Sequence, residues 1–238
     1  MSKFTKYLVI DLGNTDLKFG VYTDSLILTG RGWDTFIQFV ENESVHHCLV
    51  SNVASLDHEE RLKKLLPDVL FLKNIKHIPL DIQYETPHTL GQDRLANAVA
   101  ISHLTRSGAA LCIDVGTCLK FDFIDENHAY LGGSIAPGIN MRFRALHEYT
   151  ANLPLIKSWD IPKLIGTDTQ SSLISGVIEG MTNEINATIQ RYQEHYKKLT
   201  IFLTGGDHIH FENAIKSRIF ADPNLTLQGL KIILEANV

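Results

Sequence analysis

Several side chains that can bind phosphate lie between two apolar runs near the N-terminus. Residues 11–15 read Asp-Leu-Gly-Asn-Thr, and Lys18 follows three residues later. A glycine allows close approach to the backbone, and exposed amides, a hydroxyl and a lysine can hold phosphate oxygens. The aspartate can hold hydrated Mg²⁺, as in phosphoryl-transfer sites. The segment predicts a nucleotide phosphate turn, with an ordinary hairpin turn as the alternative.

The same pattern occurs a second time in the chain. Residues 8–19 and 111–121 share eight identical positions when Asn14 is skipped. A duplication of this kind predicts two homologous lobes, each beginning with a strand, a turn and a strand. The predicted lobes are residues 1–107 and 108–238, flanking a nucleotide cleft, with the linker near Arg106-Ser107-Gly108. Thr204-Gly205-Gly206 is a third glycine turn that would suit the nucleoside end.

A second group of candidate residues stands at the head of a predicted helix. Residues 91–94 read Gly-Gln-Asp-Arg, and Asp93 there could accept the proton of a substrate hydroxyl during phosphoryl transfer. The alternative for Asp93 is a helix N-cap. Arg94 could bind a substrate carboxylate through two hydrogen bonds, and Tyr84 lies in the polar connection before it.

Other chemistries are weakly supported. The chain has neither the P-loop motif nor Gly-x-Gly-x-x-Gly, which disfavours a dinucleotide site and hydride transfer. Its three cysteines lack Cys-x-x-Cys spacing, so a zinc or redox centre is not expected. His208 and His210 have strand-like metal spacing, but a surface pair is the simpler interpretation.

Composition and hydropathy define the expected class of protein. The 238 residues contain 22 Lys+Arg against 27 Asp+Glu, a net charge of −5, which argues against nucleic-acid and membrane partners. No run approaches the roughly 20 apolar residues of a membrane span, and none near the N-terminus is as long as a signal-peptide core. We therefore expect a soluble cytoplasmic protein.

Hydrophobic periodicity then indicates which elements position these residues. Strands are predicted at 7–12, 17–22, 48–53, 69–72 and 200–203, with helices beginning near Asp34, Asp57 and Ile139. A long helix carries one apolar stripe from Leu173 to Tyr196, and a final helix covers about 225–235. Strands mixed with helices predict an α/β fold.

In combination, these motifs resemble the type III pantothenate kinases of the acetate kinase, sugar kinase, Hsp70 and actin superfamily. The resemblance covers most of the chain, in the family's order: residues 11–18, 91–94, 114–117, 132–138, 150–154, 166–169 and 204–206. The first motif alone indicates only the superfamily. The Gly-x-Asp-Arg motif with the Gly-Gly-x-Ile-x-Pro-Gly run is far more specific. The resemblance implies a duplicated ribonuclease H-like, actin-like fold.

It also implies an activity, the phosphorylation of pantothenate to 4′-phosphopantothenate by ATP with Mg²⁺, and a role for each matching residue. Asp93 would be the general base. The implied ATP contacts are Asp11, Leu12, Gly13, Asn14, Thr15, Asp16, Leu17, Lys18 and Thr117. The implied substrate contacts are Tyr84, Gly91, Gln92, Asp93, Arg94 and Thr169. Asp114 would bind an activating monovalent cation, potassium or ammonium, and the protein would be a cytoplasmic homodimer.

Some positions depart from the family pattern. Gln92 stands where a small residue is common, and Cys118 and Lys120 stand where small or hydroxyl residues are usual. A lysine there could change the affinity for ATP or the need for a cation. Two alternatives remain open at this point: a related kinase for another small alcohol, and a non-catalytic regulatory relative.

Overall fold

The computed structural model describes residues 5–13, 16–52 and 56–238, which form two compact units. The first unit contains the chain up to Arg106, residues 128–132 and the C-terminal segment 224–238. The second contains residues 107–127 and 133–223. The division into residues 1–107 and 108–238 expected from the repeat does not include this return of the C-terminal segment to the first unit.

The first unit is built on a five-stranded sheet. Its strands are β1 (Tyr7–Leu12), β2 (Leu17–Tyr22), β3 (Leu26–Arg31), β4 (His47–Asn52) and β5 (Leu70–Phe71), in the order β3-β2-β1-β4-β5. The hairpin partners β1 and β2 are antiparallel, as predicted, whereas β1 and β4 are parallel. The ends of β1 and β4 therefore lie side by side.

Helices cover both faces of this sheet because successive side chains of β1 point to opposite sides. Leu8 and Ile10 pack in the cluster that includes Phe36 of α1 (Trp33–Asn42), and α2 (Leu56–Leu65) contributes Leu62. Val9 faces the other side, where α3 (Gln92–Leu104) and α6 (Leu225–Glu235) supply the core.

The return of α6 depends on a close contact with α3. A side chain at Gly229 would place its Cβ 1.8 Å from the backbone oxygen of Ala96, so only glycine fits there. The Thr226 hydroxyl also donates to Asn97 Oδ1 at 2.8 Å. Helix α6 is therefore part of the core of the first unit, although Thr226 follows Asn97 of α3 by 129 residues in the sequence.

The second unit repeats the strand-turn-strand opening. Its strands are β7 (Ala109–Val115), β8 (Cys118–Ile124), the later part of β9 (Ala129–Pro137), β10 (Leu199–Thr204) and β11 (Phe220–Ala221), in the order β11-β10-β7-β8-β9. The first four residues of β9, residues 129–132, belong to the first unit, and the first two of them pair with β6 (Asp81–Ile82).

Two helices complete the core of the second unit. They are α4 (Ile139–Glu148) and the long α5 (Thr169–His195), whose apolar stripe lies where the periodicity predicted it. Phe143 of α4 and Met181 and Ile185 of α5 pack with Ile113 and Phe121 of the sheet. This packing anchors β7 and β8, the two strands that the β7–β8 turn connects.

Candidate active site

The predicted phosphate turn joins β1 to β2. Asp11 and Lys18 are cross-strand partners in the antiparallel register, so both side chains lie on the same face of the hairpin beside the turn. The Gly13 amide donates to the Asp16 carbonyl at 3.0 Å, and Asp16 Oδ1 accepts from the Leu17 amide at 2.8 Å. These bonds link Gly13, Asp16 and Leu17 on the two sides of the turn.

The remaining members of this turn differ in what they can contribute. The side chains of Leu12 and Leu17 are each 1% exposed, so only their backbone groups are available to a nucleotide. Asn14 and Thr15 lie outside the described residues. The leucines anchor the turn in the core, which explains why apolar residues alternate with polar ones in the motif.

The predicted base lies in the first turn of α3. Gly91 occupies the N-cap, and its carbonyl accepts from Leu95 at 3.0 Å, so the N-cap alternative for Asp93 is wrong. Asp93 Oδ1 accepts from the Arg94 amide at 2.9 Å. A Cβ at Gly91 would lie 2.7 Å from that same carboxylate oxygen. The glycine therefore leaves space for the half-buried carboxylate at the open end of the helix.

The side-chain amide of Gln92 forms hydrogen bonds with the backbone of Asn52. Its Oε1 accepts from the Asn52 amide at 3.1 Å, and its Nε2 donates to the Asn52 carbonyl at 2.9 Å. Asn52 is the last residue of β4 and the register partner of Leu12 at the end of β1. The head of α3 is thus fastened to the strand beside the phosphate turn.

The structure also brings Tyr84 and Arg94 together. The guanidinium carbon of Arg94 lies 6.0 Å from the centre of the Tyr84 ring, a cation–π distance, and the Arg94 side chain is buried. The Tyr84 ring approaches Gly132, where a Cβ would lie 3.2 Å from two ring carbons. Gly132 has φ 120°, which also favours glycine. Gly132 entered the sequence analysis only as part of the Gly-Gly-x-Ile-x-Pro-Gly run, and this contact was missed.

In the second unit, glycines from two other segments pack against the β7–β8 turn. A Cβ at Gly138 would lie 2.2 Å from the Gly116 oxygen and 2.5 Å from the Thr117 oxygen. A Cβ at Gly205, which has φ 97°, would lie 2.2 Å from the Val115 oxygen. The structure therefore brings together the second Asp-x-Gly motif, the end of the Gly-Gly-x-Ile-x-Pro-Gly run and the Thr-Gly-Gly turn. Thr117 is exposed at the surface.

Asp114 of this motif forms an ion pair. Its Oδ2 lies 2.7 Å from Lys120 Nζ, and the two side chains are 10% and 14% exposed. They are cross-strand partners in β7 and β8, as Asp11 and Lys18 are in β1 and β2. Each copy of the duplicated sequence thus places an aspartate and a lysine opposite each other on adjacent strands.

Thr169 is the first residue of α5. Asp168 caps the helix by accepting from the Ser171 amide at 2.9 Å, and that bond, with one from the Ser171 hydroxyl, lowers the pKa of the Asp168 carboxyl. An open cavity of about 490 Å³ lies at this helix end. Leu153, Gly166, Thr167, Asp168, Thr169, Ser172 and Leu173 line it. Thr169 is exposed and is one of the residues that line this cavity.

The alternative sites suggested by the sequence have less support. His208 and His210 lie in a short helical turn, where His208 Nδ1 is 2.8 Å from the Gly205 oxygen and His210 packs on Trp159. Among the described residues, no group of three potential metal-ligating side chains occurs. Nor does any helix in the described part of the chain have the length and apolar character to cross a membrane.

Some known proteins are similar to this chain in sequence, and some are similar to it in fold. The family model for type III pantothenate kinase matches residues 7–191. A type III pantothenate kinase of Christiangramia forsetii is 41% identical over 97% of this chain and 98% of its own length. A Campylobacter jejuni protein described as a Baf family transcriptional activator has a TM-score of 0.63 at 22% identity, covering 97% and 98% of the two chains.

A polyphosphate/ATP-glucomannokinase of an Arthrobacter strain has a TM-score of 0.52 at 12% identity, covering 98% of this chain and all of its own. At such low identities, the two structural likenesses concern the fold alone. They confirm the predicted actin-like α/β fold.

Proposed function

Because this chain belongs to the type III pantothenate kinase family, we propose that it transfers the terminal phosphoryl group of ATP to the 4′-hydroxyl of pantothenate. The product is 4′-phosphopantothenate, and the reaction is the first step of coenzyme A synthesis. The observation that carries the proposal is the head of α3. There Asp93 follows Gln92, which is hydrogen-bonded to the end of β4, and precedes Arg94, which lies beside Tyr84.

Asp93 acts as the general base. Its carboxylate accepts the proton of the pantothenate hydroxyl as the hydroxyl oxygen attacks the terminal phosphorus of ATP. The bond from that phosphorus to the bridging oxygen breaks, and the oxygen leaves with ADP. The Asp93 carboxylate accepts a hydrogen bond from the Arg94 amide, which helps to orient it before substrate binds. Such positioning is the main contribution a protein makes to phosphoryl transfer.

The β1–β2 turn holds the phosphates of ATP. Lys18 supplies a positive charge next to the turn. The backbone of residues 11–13 and 16–18 supplies amides, because the leucine side chains are committed to the core. The chemistry of the Asp11 carboxylate at the strand end suits hydrated Mg²⁺, which when bound neutralises phosphate charge. In the second unit, we assign a nucleotide contact to the exposed Thr117.

Pantothenate carries a carboxylate and hydroxyls, and the chain offers side chains that suit both kinds of group. The buried guanidinium of Arg94 suits the carboxylate, and Tyr84 packs beside it. We also assign Thr169, at the open cavity of α5, as a hydroxyl that hydrogen-bonds pantothenate.

We further propose a cytoplasmic homodimer. All three cysteines are free thiols, as is usual in a reducing compartment. Large apolar side chains of segment 149–165 are strongly exposed: Tyr149 86%, Ile161 93%, Leu164 80% and Ile165 74%. Exposed apolar groups of this kind often mark an interface between subunits. Light scattering during gel filtration should give the mass of a dimer for the wild type and of a monomer for Ile161→Glu/Leu164→Glu.

The family resemblance implies a monovalent cation at Asp114, but an ammonium group of the chain already occupies a position beside this carboxylate. The Lys120 ammonium lies 2.7 Å from the Asp114 carboxylate, so the residues present do not fit an additional small cation there.

The activity is tested by offering the purified protein ATP and Mg²⁺ with pantothenate, and separately with other small alcohols such as glucose, N-acetylmannosamine and glycerol. We expect coupled ADP release only with pantothenate, and a product whose mass is that of 4′-phosphopantothenate. ADP release with another alcohol would indicate a related small-alcohol kinase. Absence of turnover with every acceptor would favour a regulatory protein.

A further inference from the structure

The second Asp-x-Gly motif contains a carboxylate that is almost enclosed and already has a cation. Asp114 is the penultimate residue of the buried strand β7, and Lys120 reaches it from the neighbouring strand β8. An aspartate of such low exposure is costly to keep ionised unless a positive charge lies against it. Lys120 supplies that charge from a covalently fixed position.

The surroundings of Asp114 leave little space for a second cation. Its Oδ2 is 2.7 Å from Lys120 Nζ. Its Oδ1 faces Gly205, where even a single added carbon would come within 2.5 Å of it. One oxygen of the carboxylate therefore faces an ammonium, and the other faces the closely packed backbone of the Thr-Gly-Gly turn.

The charge of Asp114 also acts on a second carboxyl group, that of Asp207. Burial raises the pKa of the Asp207 carboxyl, His210 partly offsets this, and the negative charge of Asp114 raises that pKa further. Two carboxyl groups thus interact near the β7–β8 turn. A cation at Asp114 reduces their mutual repulsion, and Lys120 is positioned to be that cation.

We propose that the ammonium of Lys120 takes the place of the free monovalent cation at Asp114, so that this kinase needs neither potassium nor ammonium ions. A lysine side chain ends in an alkylated ammonium group, and its attachment to β8 makes binding from solution unnecessary. The proposal rests on the proposed kinase function, because it concerns activation of that reaction.

The first experiment measures 4′-phosphopantothenate formation by the wild type in buffers whose only added monovalent cation is tetramethylammonium, which is too large for such a site. Potassium or ammonium chloride is then added at about 100 mM, a concentration chosen to be saturating. We expect kcat to change by less than twofold. A stimulation of tenfold or more would overturn the proposal.

The second experiment uses Lys120→Ala, which removes the tethered ammonium. We expect kcat in tetramethylammonium buffer to fall at least about tenfold and to be largely restored by potassium or ammonium. Lys231→Ala is the matched control, since Lys231 also pairs with a carboxylate at 2.9 Å and is 17% exposed, but lies on α6. It should keep the wild-type activity and show no rescue.

A thermal measurement separates failure of this proposal from failure of the proposed function, because it needs no turnover. Potassium should raise the Tm of Lys120→Ala relative to tetramethylammonium and leave that of the wild type unchanged. If Lys120→Ala does not fold, Lys120→Met keeps the aliphatic packing for the same test. An unchanged Tm in a folded variant would overturn the proposal. A rise only in the KM for ATP, without rescue by a cation, would also overturn it and would indicate that Lys120 contacts the nucleotide.

Discussion

The side-chain amide of Gln92 is hydrogen-bonded at both ends to the backbone of Asn52, at 3.1 Å and 2.9 Å. Asn52 ends β4, next to the end of β1, where the phosphate turn begins. Asp93 is the residue that follows Gln92 in the chain. The two bonds therefore fix the proposed base relative to the proposed phosphate turn within the first unit.

Replacing Gln92 by alanine should misplace Asp93. We expect Gln92→Ala to lower kcat about tenfold, because each hydrogen bond contributes about 0.5–1.5 kcal/mol and small displacements of a base slow transfer strongly. The KM for pantothenate should change little. Hydrogen exchange of the Asn52 amide, measured without substrates, should become faster.

Gln92→Glu is the isosteric comparison, because it keeps an acceptor for the Asn52 amide but replaces the donor that faces the carbonyl. We expect an intermediate or equal loss of kcat. Gln38→Ala, on the exposed side of α1, is the control that should be neutral. A rise in the KM for pantothenate at unchanged kcat would instead indicate that Gln92 contacts the substrate directly.

Thr169 should affect substrate binding more than folding. Thr169→Val keeps the shape of the side chain but removes the hydroxyl at the start of α5. We expect the KM for pantothenate to rise about three- to tenfold, the range for loss of one hydrogen bond. Thr167→Val, which lines the same cavity, should leave the KM unchanged. Equal effects of the two substitutions would remove the specific role of Thr169.

Gly138 should be intolerant of any side chain. In Gly138→Ala the new Cβ would meet the backbone oxygens of Gly116 and Thr117, which cannot move without distorting the β7–β8 turn. We expect the free energy of unfolding to fall by about 2 kcal/mol, within the usual range for overpacking. Chemical denaturation provides the measurement. Gly206→Ala, where the added Cβ has no neighbour within 4 Å, should be nearly neutral, and equal losses would contradict the packing argument.

A charged network near the end of β4 should make stability depend on pH. Burial alone would raise the pKa of the Glu59 carboxyl, but hydrogen bonds from Lys73 and Asn52 outweigh it and hold that pKa below its usual value. A lowered pKa gives stability that is present above the unfolded-state pKa, about 4.3 for glutamate, and is lost as the pH falls through the folded-state pKa.

Lys73→Met should therefore be less stable than the wild type by about 1 kcal/mol at pH 7, a modest value because the lysine is partly exposed. The difference should shrink below about pH 4, as Glu59 becomes protonated. Urea denaturation at pH 7, 5 and 3.5 provides the measurement. A difference that stays constant across this range would exclude the ion pair as its source.

Local patterns predicted much of this molecule because they depend only on neighbouring residues. The hairpin of β1 and β2 occurs at the predicted positions, and the apolar stripe of Leu173 to Tyr196 follows α5. The Asp-x-Gly repeat likewise predicted two similar hairpins, and the structure shows the same cross-strand pairing in both.

What sequence reasoning missed depends on contacts between distant residues. Gln92 and Asn52 are 40 residues apart, and nothing in either segment indicates that an amide side chain would bind backbone. The partner of Lys120 could be inferred only after the hairpin register was known. Helix α6 was predicted as a helix, but its place beside α3 depends on the close approach at Gly229.

The central claim is that Asp93 removes the proton from the pantothenate hydroxyl, and Asp93→Asn tests it most directly. Steady-state formation of 4′-phosphopantothenate should show kcat reduced at least about a hundredfold, as is typical for loss of a general base, with unchanged circular dichroism and ATP affinity. Asp24→Asn, in an exposed turn, should match the wild type. Turnover by Asp93→Asn close to that of the wild type would contradict the mechanism.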